Sequence, residues 1–256
     1  MTPKMTLTGP WSEAMKRLRG IGASAGLAIG PAFVYRPRTL SMGCQVIDAQ
    51  DVAGALTRWQ EALAQAQSQL AAIQARAEQS VGKDNATIFA AQALMLEDPA
   101  LREFVQSKIC DEHLSAPAAM AAAADFYAGV LAALPDECWR ARAADVQDVA
   151  QRVIRLLLGV EDTSLAALTR PSIIVAEDLT PSDTAVMNRE LTLGFCTAGG
   201  GMTAHTAILA RAHGWPAVVG MGQAWAEIVD GETLIVDGGA GLVIAAPDEA
   251  TMGEYR

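Results

Sequence analysis

Aromatic side chains are scarce in this 256-residue chain, at 5%, and histidine is scarcer, with three copies. Chemistry that needs an imidazole therefore has only His113, His205 and His213 to draw on. The four cysteines, Cys44, Cys110, Cys138 and Cys196, show no CxxC spacing. That argues against a zinc site or a disulfide framework and leaves reduced, structural thiols. No apolar run approaches the ~18 residues needed to cross a bilayer. The opening MTPKMTLTGPWSEAMKRLRG lacks the continuous apolar centre of a signal peptide and reads as a loose arm or linker. The chain is expected in the cytoplasm, without a membrane partner. Basic charge is also short, the net charge being −10. Residues 1–40 hold six Lys or Arg and one Glu, so the rest of the chain is at −15. An acidic body is a poor nucleic-acid binder; it suits plain solubility or a basic protein partner.

What is plentiful is apolar residues, 51% of the chain, enough for a real core. Residues 20–36, GIGASAGLAIGPAFVYR, suggest a glycine-rich loop followed by a short strand; their glycines do not form GxGxxG, which disfavours a dinucleotide site. From Val52 the texture turns helical. Val52, Leu56, Trp59, Leu63, Ala66, Leu70, Ile73 and Ala77 step by four and three, giving one apolar stripe. Further helices are expected over 87–108, over 116–134 with Ser115 as N-cap and Pro117 in the first turn, and along Trp139, Ala143, Val146, Ala150, Val153 and Leu157 until Gly159. This is a bundle of about four helices.

After about Thr169 the pattern becomes α/β. Strands are expected at Ser172–Ala176, 191–197 and Ala217–Val219, with helices over 181–188 and 203–213. Asp230-Gly231 and Asp237-Gly238 predict two tight hairpins. A helical insert thus separates an N-terminal strand from a C-terminal α/β half. If that strand joins the later sheet, the α/β part is discontinuous.

The stretch richest in chemistry runs Gly199-Gly200-Gly201-Met202-Thr203-Ala204-His205-Thr206, with Arg211 further along. Three glycines permit a sharp turn that brings N–H groups to a ligand, and the following helix presents its positive end, a combination suited to a phosphoryl group. In the first turn the dipole disfavours imidazolium and favours a neutral, nucleophilic nitrogen at His205. Thr203 and Thr206 offer hydroxyl donors, and Arg211 offers charge if it reaches back. On the residues alone the leading reading is a capped helix with His205 as an exposed polar residue. His113 lies in acidic DEHLSA and reads as a surface residue. His213 follows His205 by eight positions, not the i, i+4 spacing of a helical metal pair, so no metal site is expected.

Taken whole, GGGMTAHTAILARAHGWPAVVGMG resembles the phosphohistidine signature of the phosphoenolpyruvate-utilising enzymes, which include enzyme I of the bacterial phosphoenolpyruvate:sugar phosphotransferase system, pyruvate phosphate dikinase and phosphoenolpyruvate synthase. GIGASAGLAIGPAFV, FAAQALMLEDPAL, RAADVQDVAQRVIRLLLG and IIVAEDLTPSDTAVMN resemble the N-terminal half of enzyme I, in that order, over residues 19–247. The resemblance implies that His205 is the phosphohistidine nucleophile, taking a phosphoryl group from phosphoenolpyruvate and passing it to a histidine of the small carrier HPr. It implies that Thr184 hydrogen-bonds that histidine, with Gly200, Gly201, Thr203, Thr206 and Arg211 around the phosphoryl group.

The implied architecture is a discontinuous, swivelling phosphohistidine α/β subdomain (19–47 and 160–247) with an inserted four-helix HPr-binding subdomain (48–159). Residues 1–18 would be the arm, and 248–256 the start of a linker to a C-terminal phosphoenolpyruvate-binding barrel. That barrel would hold the phosphoenolpyruvate site, Mg2+ and the homodimer interface. This chain alone would carry no cofactor, stay monomeric, and exchange phosphoryl groups with HPr without using phosphoenolpyruvate.

Three positions depart from the enzyme I pattern: Met202 replaces Arg, Ala198 an acidic residue, and Ala204 a Ser or Cys. An unreplaced Arg is worth about 1 to 3 kcal/mol to a phosphoryl group. The alternatives are an enzyme I-like module of a dihydroxyacetone kinase phosphotransfer subunit or a multiphosphoryl-transfer fusion, the central domain of a dikinase, against which the helical insert argues, and a docking module without chemistry.

Overall fold

The computed structural model describes residues 15–36, 45–160, 165, 168–202 and 205–255. Three short segments open it: β1 (Lys16–Arg19), β2 (Ile21–Ser24) and β3 (Leu27–Tyr35). The strand expected after the glycines is β3, while the part expected as a loop holds a further strand, β2, and Lys16, Arg17 and Leu18 belong to the sheet rather than to an arm. β1 is held by a partner far along the chain, Leu18 standing opposite Val243.

Five helices follow: α1 (Val52–Val81), α2 (Lys83–Met95), α3 (Pro99–Cys110), α4 (Ala116–Ala132) and α5 (Glu137–Leu158). The stretch expected as one helix over 87–108 is two. Asp98 caps α3, its side chain accepting from Ala100 N at 2.8 Å, and Pro99 opens it. A proline ring cannot continue the preceding helix, so the chain breaks there. The α1 stripe is borne out: Trp59, Leu63, Ala66 and Leu70 are buried, with Val52, Leu56, Ile73 and Ala77 packed on the same core. On α4 the buried residues are almost all alanine, which lets α5 approach closely. Ser115 accepts from Ala118 N, as expected of its N-cap. The α5 stripe starts later than expected, since Trp139 is 53% exposed while Val149, Ala150, Val153 and Ile154 are buried.

The α/β part resumes with β4 (Ser172–Ala176), α6 (Pro181–Ala185), β5 (Thr192–Thr197), α7 (His205–His213), β6 (Ala217–Val219), β7 (Thr233–Asp237), β8 (Leu242–Ala245) and α8 (Glu249–Glu254). The sheet order is β1-β8-β7-β3-β4-β5-β6-β2. β3 to β6 are mutually parallel and the remaining pairs antiparallel. β3 joins β4 across the insert, so the α/β part is indeed discontinuous. The two edge strands β1 and β2 are separated only by Gly20, whose N–H donates to Gly241 O at 3.0 Å. One residue therefore brings both edges together, and the sheet curls until its edges meet, leaving little free edge. At that meeting a Cβ on Gly238 would overlap the Ser24 carbonyl oxygen.

Both faces of the sheet are covered. Ile173, Val175, Cys196, Val218, Leu234, Val236 and Val243 fill one side. Ile174, Ala176, Phe195, Ala207, Ala210, Trp215 and Ala217 fill the other, beneath α7. β4 is accordingly buried at every position, as strands covered on both faces are.

Asp237-Gly238 makes the expected β7–β8 hairpin. Asp230-Gly231 does not make one, because 222–227 form a 3-10 helix and the turn binds β3 instead. Asp230 Oδ1 accepts from Val34 N at 2.8 Å, and Gly231 N donates to Ala32 O. Residues 248–256, expected as linker, carry α8: Asp248 accepts from Thr251 N, and Thr251 is buried with its hydroxyl on Met15 Sδ. Among the described residues no helix is long and apolar enough to cross a membrane.

Candidate functional site

The site is assembled where three loops at one end of the parallel strands converge. The segment leaving β5 turns at once. Thr197 Oγ1 donates to Gly199 O at 2.8 Å, and Gly199 N donates to Glu177 O at 2.9 Å. On the other side Gly220 N, Met221 N and Gly222 N donate to the carbonyls of Gly199, Thr197 and Ala198. Gly200 has φ +87°, left-handed backbone that side-chain-bearing residues rarely adopt. The turn is thus pinned before the chain enters α7.

α7 carries His205 at the start of its described residues, His205–His213. Thr203, Ala204 and the His205 side chain lie outside the described residues. Arg211 does reach back: Nη2 donates to Met202 O at 3.2 Å and Nη1 to Ala23 O at 2.9 Å. Its guanidinium ties the glycine loop to β2. Thr206 is buried beneath the helix, whereas Met202 is 52% exposed. α7 is long enough for its first-turn N–H groups and dipole to favour an anion.

α6 packs against α7. Thr180 caps α6 in a reciprocal box: its Oγ1 accepts from Asp183 N at 3.1 Å, while Thr180 N donates to Asp183 Oδ2 at 3.0 Å. Tyr35 OH donates to Asp183 Oδ1 at 2.6 Å. Thr184 is buried, and its hydroxyl donates to Pro181 O at 2.9 Å. The proton of Thr184 is therefore committed within α6, which leaves its oxygen as an acceptor toward any neighbour.

The other candidates separate from this site. His113 holds a positive φ of 54° on a turn where its carbonyl accepts from Ile47 N. His213 ends α7 and stacks on Trp215 at 4.3 Å; burial and the nearby Arg189 charge lower its pKa. Cys110 and Cys196 are free thiols, and burial pushes Cys196 up to about 12, leaving it protonated and inert. Among the described residues no three His, Cys, Asp or Glu side chains gather as metal ligands.

Sequence reasoning missed a buried polar junction between insert and α6. Asp148 of α5 accepts from Gln92 of α2 and from Ser182 of α6, while Arg152 bridges Ser182 to Gln69 of α1. Burial raises the pKa of Asp148, against hydrogen bonds from Ser182. The available signal was the spacing Asp145, Asp148, Arg152, a polar row beside the apolar stripe of α5.

On the outer side of the insert, an apolar groove of about 250 Å³ is lined by Met95, Leu101, Met120, Tyr127 and Val130. Exposed Leu94 and Phe126 stand on neighbouring turns, with acidic Glu97 and Asp98 between α2 and α3.

A curled α/β sheet carrying a glycine-led helix, interrupted by an all-helical insert, defines a two-part protein in which α1 and α5 of the insert pack on α7 and α6. Comparison with known proteins sharpens that class. The family described as "PEP-utilising enzyme, N-terminal" matches residues 19–142, and "PEP-utilising enzyme, mobile domain" matches residues 168–241. The phosphoenolpyruvate-protein phosphotransferase of Geobacillus stearothermophilus is 40% identical over 241 residues, 94% of this chain and 41% of that protein. That of Bacillus subtilis (strain 168) is 41% identical over 242 residues, 94% and 42% of the two chains.

An NMR solution structure of enzyme I (nEIt) superposes with a TM-score of 0.75 at 39% identity, covering 93% of this chain and 96% of that one. An "N-terminal domain of Enzyme 1 - Nitrogen" gives 0.62 at 26% identity, covering 93% and 97%. The chain belongs to the PEP-utilising enzymes and has the fold of the enzyme I N-terminal domain. It spans about two fifths of the length of these curated relatives, 41% in the first.

Proposed function

We propose that this chain is the phosphoryl-carrier part of a phosphoenolpyruvate-protein phosphotransferase, in which His205 holds the phosphoryl group and hands it to HPr. The observation that carries this reading is the pinned glycine turn at 199–202 ahead of the helix that carries His205, within the stretch matched by the mobile-domain family.

The chemistry follows from the surroundings. A neutral imidazole has one N–H and one lone pair. With its own proton on Pro181 O, Thr184 would accept that N–H and leave the other ring nitrogen free to attack phosphorus. In the exchange with HPr one P–N bond breaks as the other forms, so no proton or electron is left over. The first-turn N–H groups and the helix dipole would then stabilise the added negative charge. Gly200 and Gly201 would bring backbone toward the phosphoryl oxygens, and Thr203 and Thr206 would supply donors. Arg211 would act through the loop it ties down and supply positive charge behind it.

HPr would dock on the groove and exposed apolar residues of the insert, where acidic flanks suit a basic partner. The phosphoenolpyruvate site with its Mg2+ and the dimer interface are assigned, through the likeness to enzyme I, to a C-terminal domain, and the carrier to the cytoplasm. The insert favours this reading over a dikinase central domain.

Incubation with phosphorylated HPr is expected to give an acid-labile, base-stable phosphoprotein, and His205→Ala to remove the label entirely. A label that survives His205→Ala overturns the assignment. HPr binding with no exchange at all would instead mark a docking module.

A further inference from the structure

The junction between the insert and the α/β part is built from buried polar groups where apolar packing would hold as well. Asp148 Oδ2 accepts from Gln92 Nε2 at 3.0 Å, from Ser182 Oγ at 2.8 Å and from Ser182 N at 3.3 Å. The Ser182 hydroxyl gives its proton to Asp148 and in turn accepts from Arg152 Nη2 at 2.8 Å. Arg152 Nη1 continues to Gln69 Oε1 at 2.9 Å. Three helices of the insert, α1, α2 and α5, thus converge on one residue of α6.

α6 has five residues, too few to hold its own shape without outside partners. Its placement is set by Ser182, by Tyr35 on Asp183 and by the Thr180 box. Ser182 lies two positions before Thr184, and α6 packs on α7, the helix that carries His205. A buried carboxylate contributes little net stability compared with an apolar pair of the same shape; what it adds is a fixed geometry.

We propose that Asp148 is a positioning residue for phosphoryl transfer: through Ser182 it fixes α6, and so aims the Thr184 hydroxyl at the imidazole of His205. This rests on the reading of His205 and Thr184 given above. It also makes the junction the mechanical link between a partner seated on the insert and the phosphoryl site.

Three measurements on the whole chain test it: single-turnover exchange with phosphorylated HPr, HPr affinity, and the 15N signals of the His205 ring. Asp148→Ala and Ser182→Ala are expected to slow exchange about tenfold, with affinity for HPr unchanged within about twofold, and to move the ring signals. Asp148→Asn can keep an oxygen where Oδ2 stands and is expected to recover the wild-type rate within about twofold. In a Thr184→Val background Ser182→Ala should cost nothing more, because the serine acts through the threonine.

Wild-type exchange with unshifted ring signals in Ser182→Ala overturns the proposal, as does full additivity of Ser182→Ala with Thr184→Val. Should Asp148→Ala fail to fold, Ser182→Ala decides. A wild-type chain that takes no label defeats the carrier reading, and the ring signals still judge the positioning role.

Discussion

The helical insert and the curled α/β part solve the same packing problem by opposite means. In the insert, long helices bury continuous apolar stripes, with Leu70 and Ile109 fully enclosed, and no glycine is pressed against a neighbour. In the α/β part the apolar residues divide into two layers, and the ring of strands meets only because backbone touches backbone at Gly20, Gly238 and Gly241. One part depends on side-chain volume, the other on its absence. The insert should therefore yield gradually to truncation, whereas the sheet should fail abruptly on enlargement.

Gly238→Val is the sharpest way to break that contrast. Its added atoms would meet the Ser24 carbonyl and Ala217 N, both backbone, which no rotamer change can clear. The expected loss is about 4 kcal/mol or more in chemical denaturation, together with loss of label at His205. A variant as stable as the parent would show that the sheet closure is loose.

Leu70→Ala tests the other half. Removing a fully buried leucine from α1 should cost about 3 kcal/mol, through lost transfer energy and the cavity left behind. Amide exchange should rise first in α1 to α5, and His205 should still be labelled by phosphorylated HPr when the folded population is restored by cooling. Equal loss of protection in β4 and β5 would mean that both parts open as one cooperative unit.

This contrast also explains what could be read from residues alone. The α1 stripe and the strand Ser172–Ala176 are local patterns, and both stand where periodicity puts them. Gly199 to Gly201 ahead of a helix is also local, so the turn near His205 was legible, and the family likeness supplied its chemistry. The break between α2 and α3 was written in Asp98-Pro99 but was outweighed by the apolar run around it. β1 was not legible: Lys-Arg-Leu-Arg is short and mostly charged, and only pairing with Leu242–Ala245 makes it a strand. The junction at Asp148 was hidden for the same reason, since its partners Gln69, Gln92 and Ser182 come from three distant segments. Expectations failed where a residue's role is set by a contact far along the chain.

The junction itself gives the smallest expected effect, because it combines a cost and a gain. Burial raises the folded-state pKa of Asp148 above its ordinary 3.8. The facing groups are Gln92 from α2, Asp145 and Arg152 from α5, Thr180 at the cap of α6, and Ser182 and Asp183 within it. Between 3.8 and that raised value the folded chain binds more protons than the unfolded one, so stability falls as pH rises through the window. Asp145 and Asp178, also raised chiefly by burial, pull the same way. Asp148→Asn removes one of these three contributions while leaving an acceptor for Ser182. Its Tm should therefore fall less steeply than the wild-type Tm on going from pH 4 upward, the two differing by about 2 °C or less. Parallel Tm profiles would mean that Asp148 is ionised in the folded chain across the whole range, its desolvation offset by Arg152 and Ser182. In that case the junction would be a fully compensated ion pair, and the insert and sheet would be joined as tightly by charge as each is held by its own core.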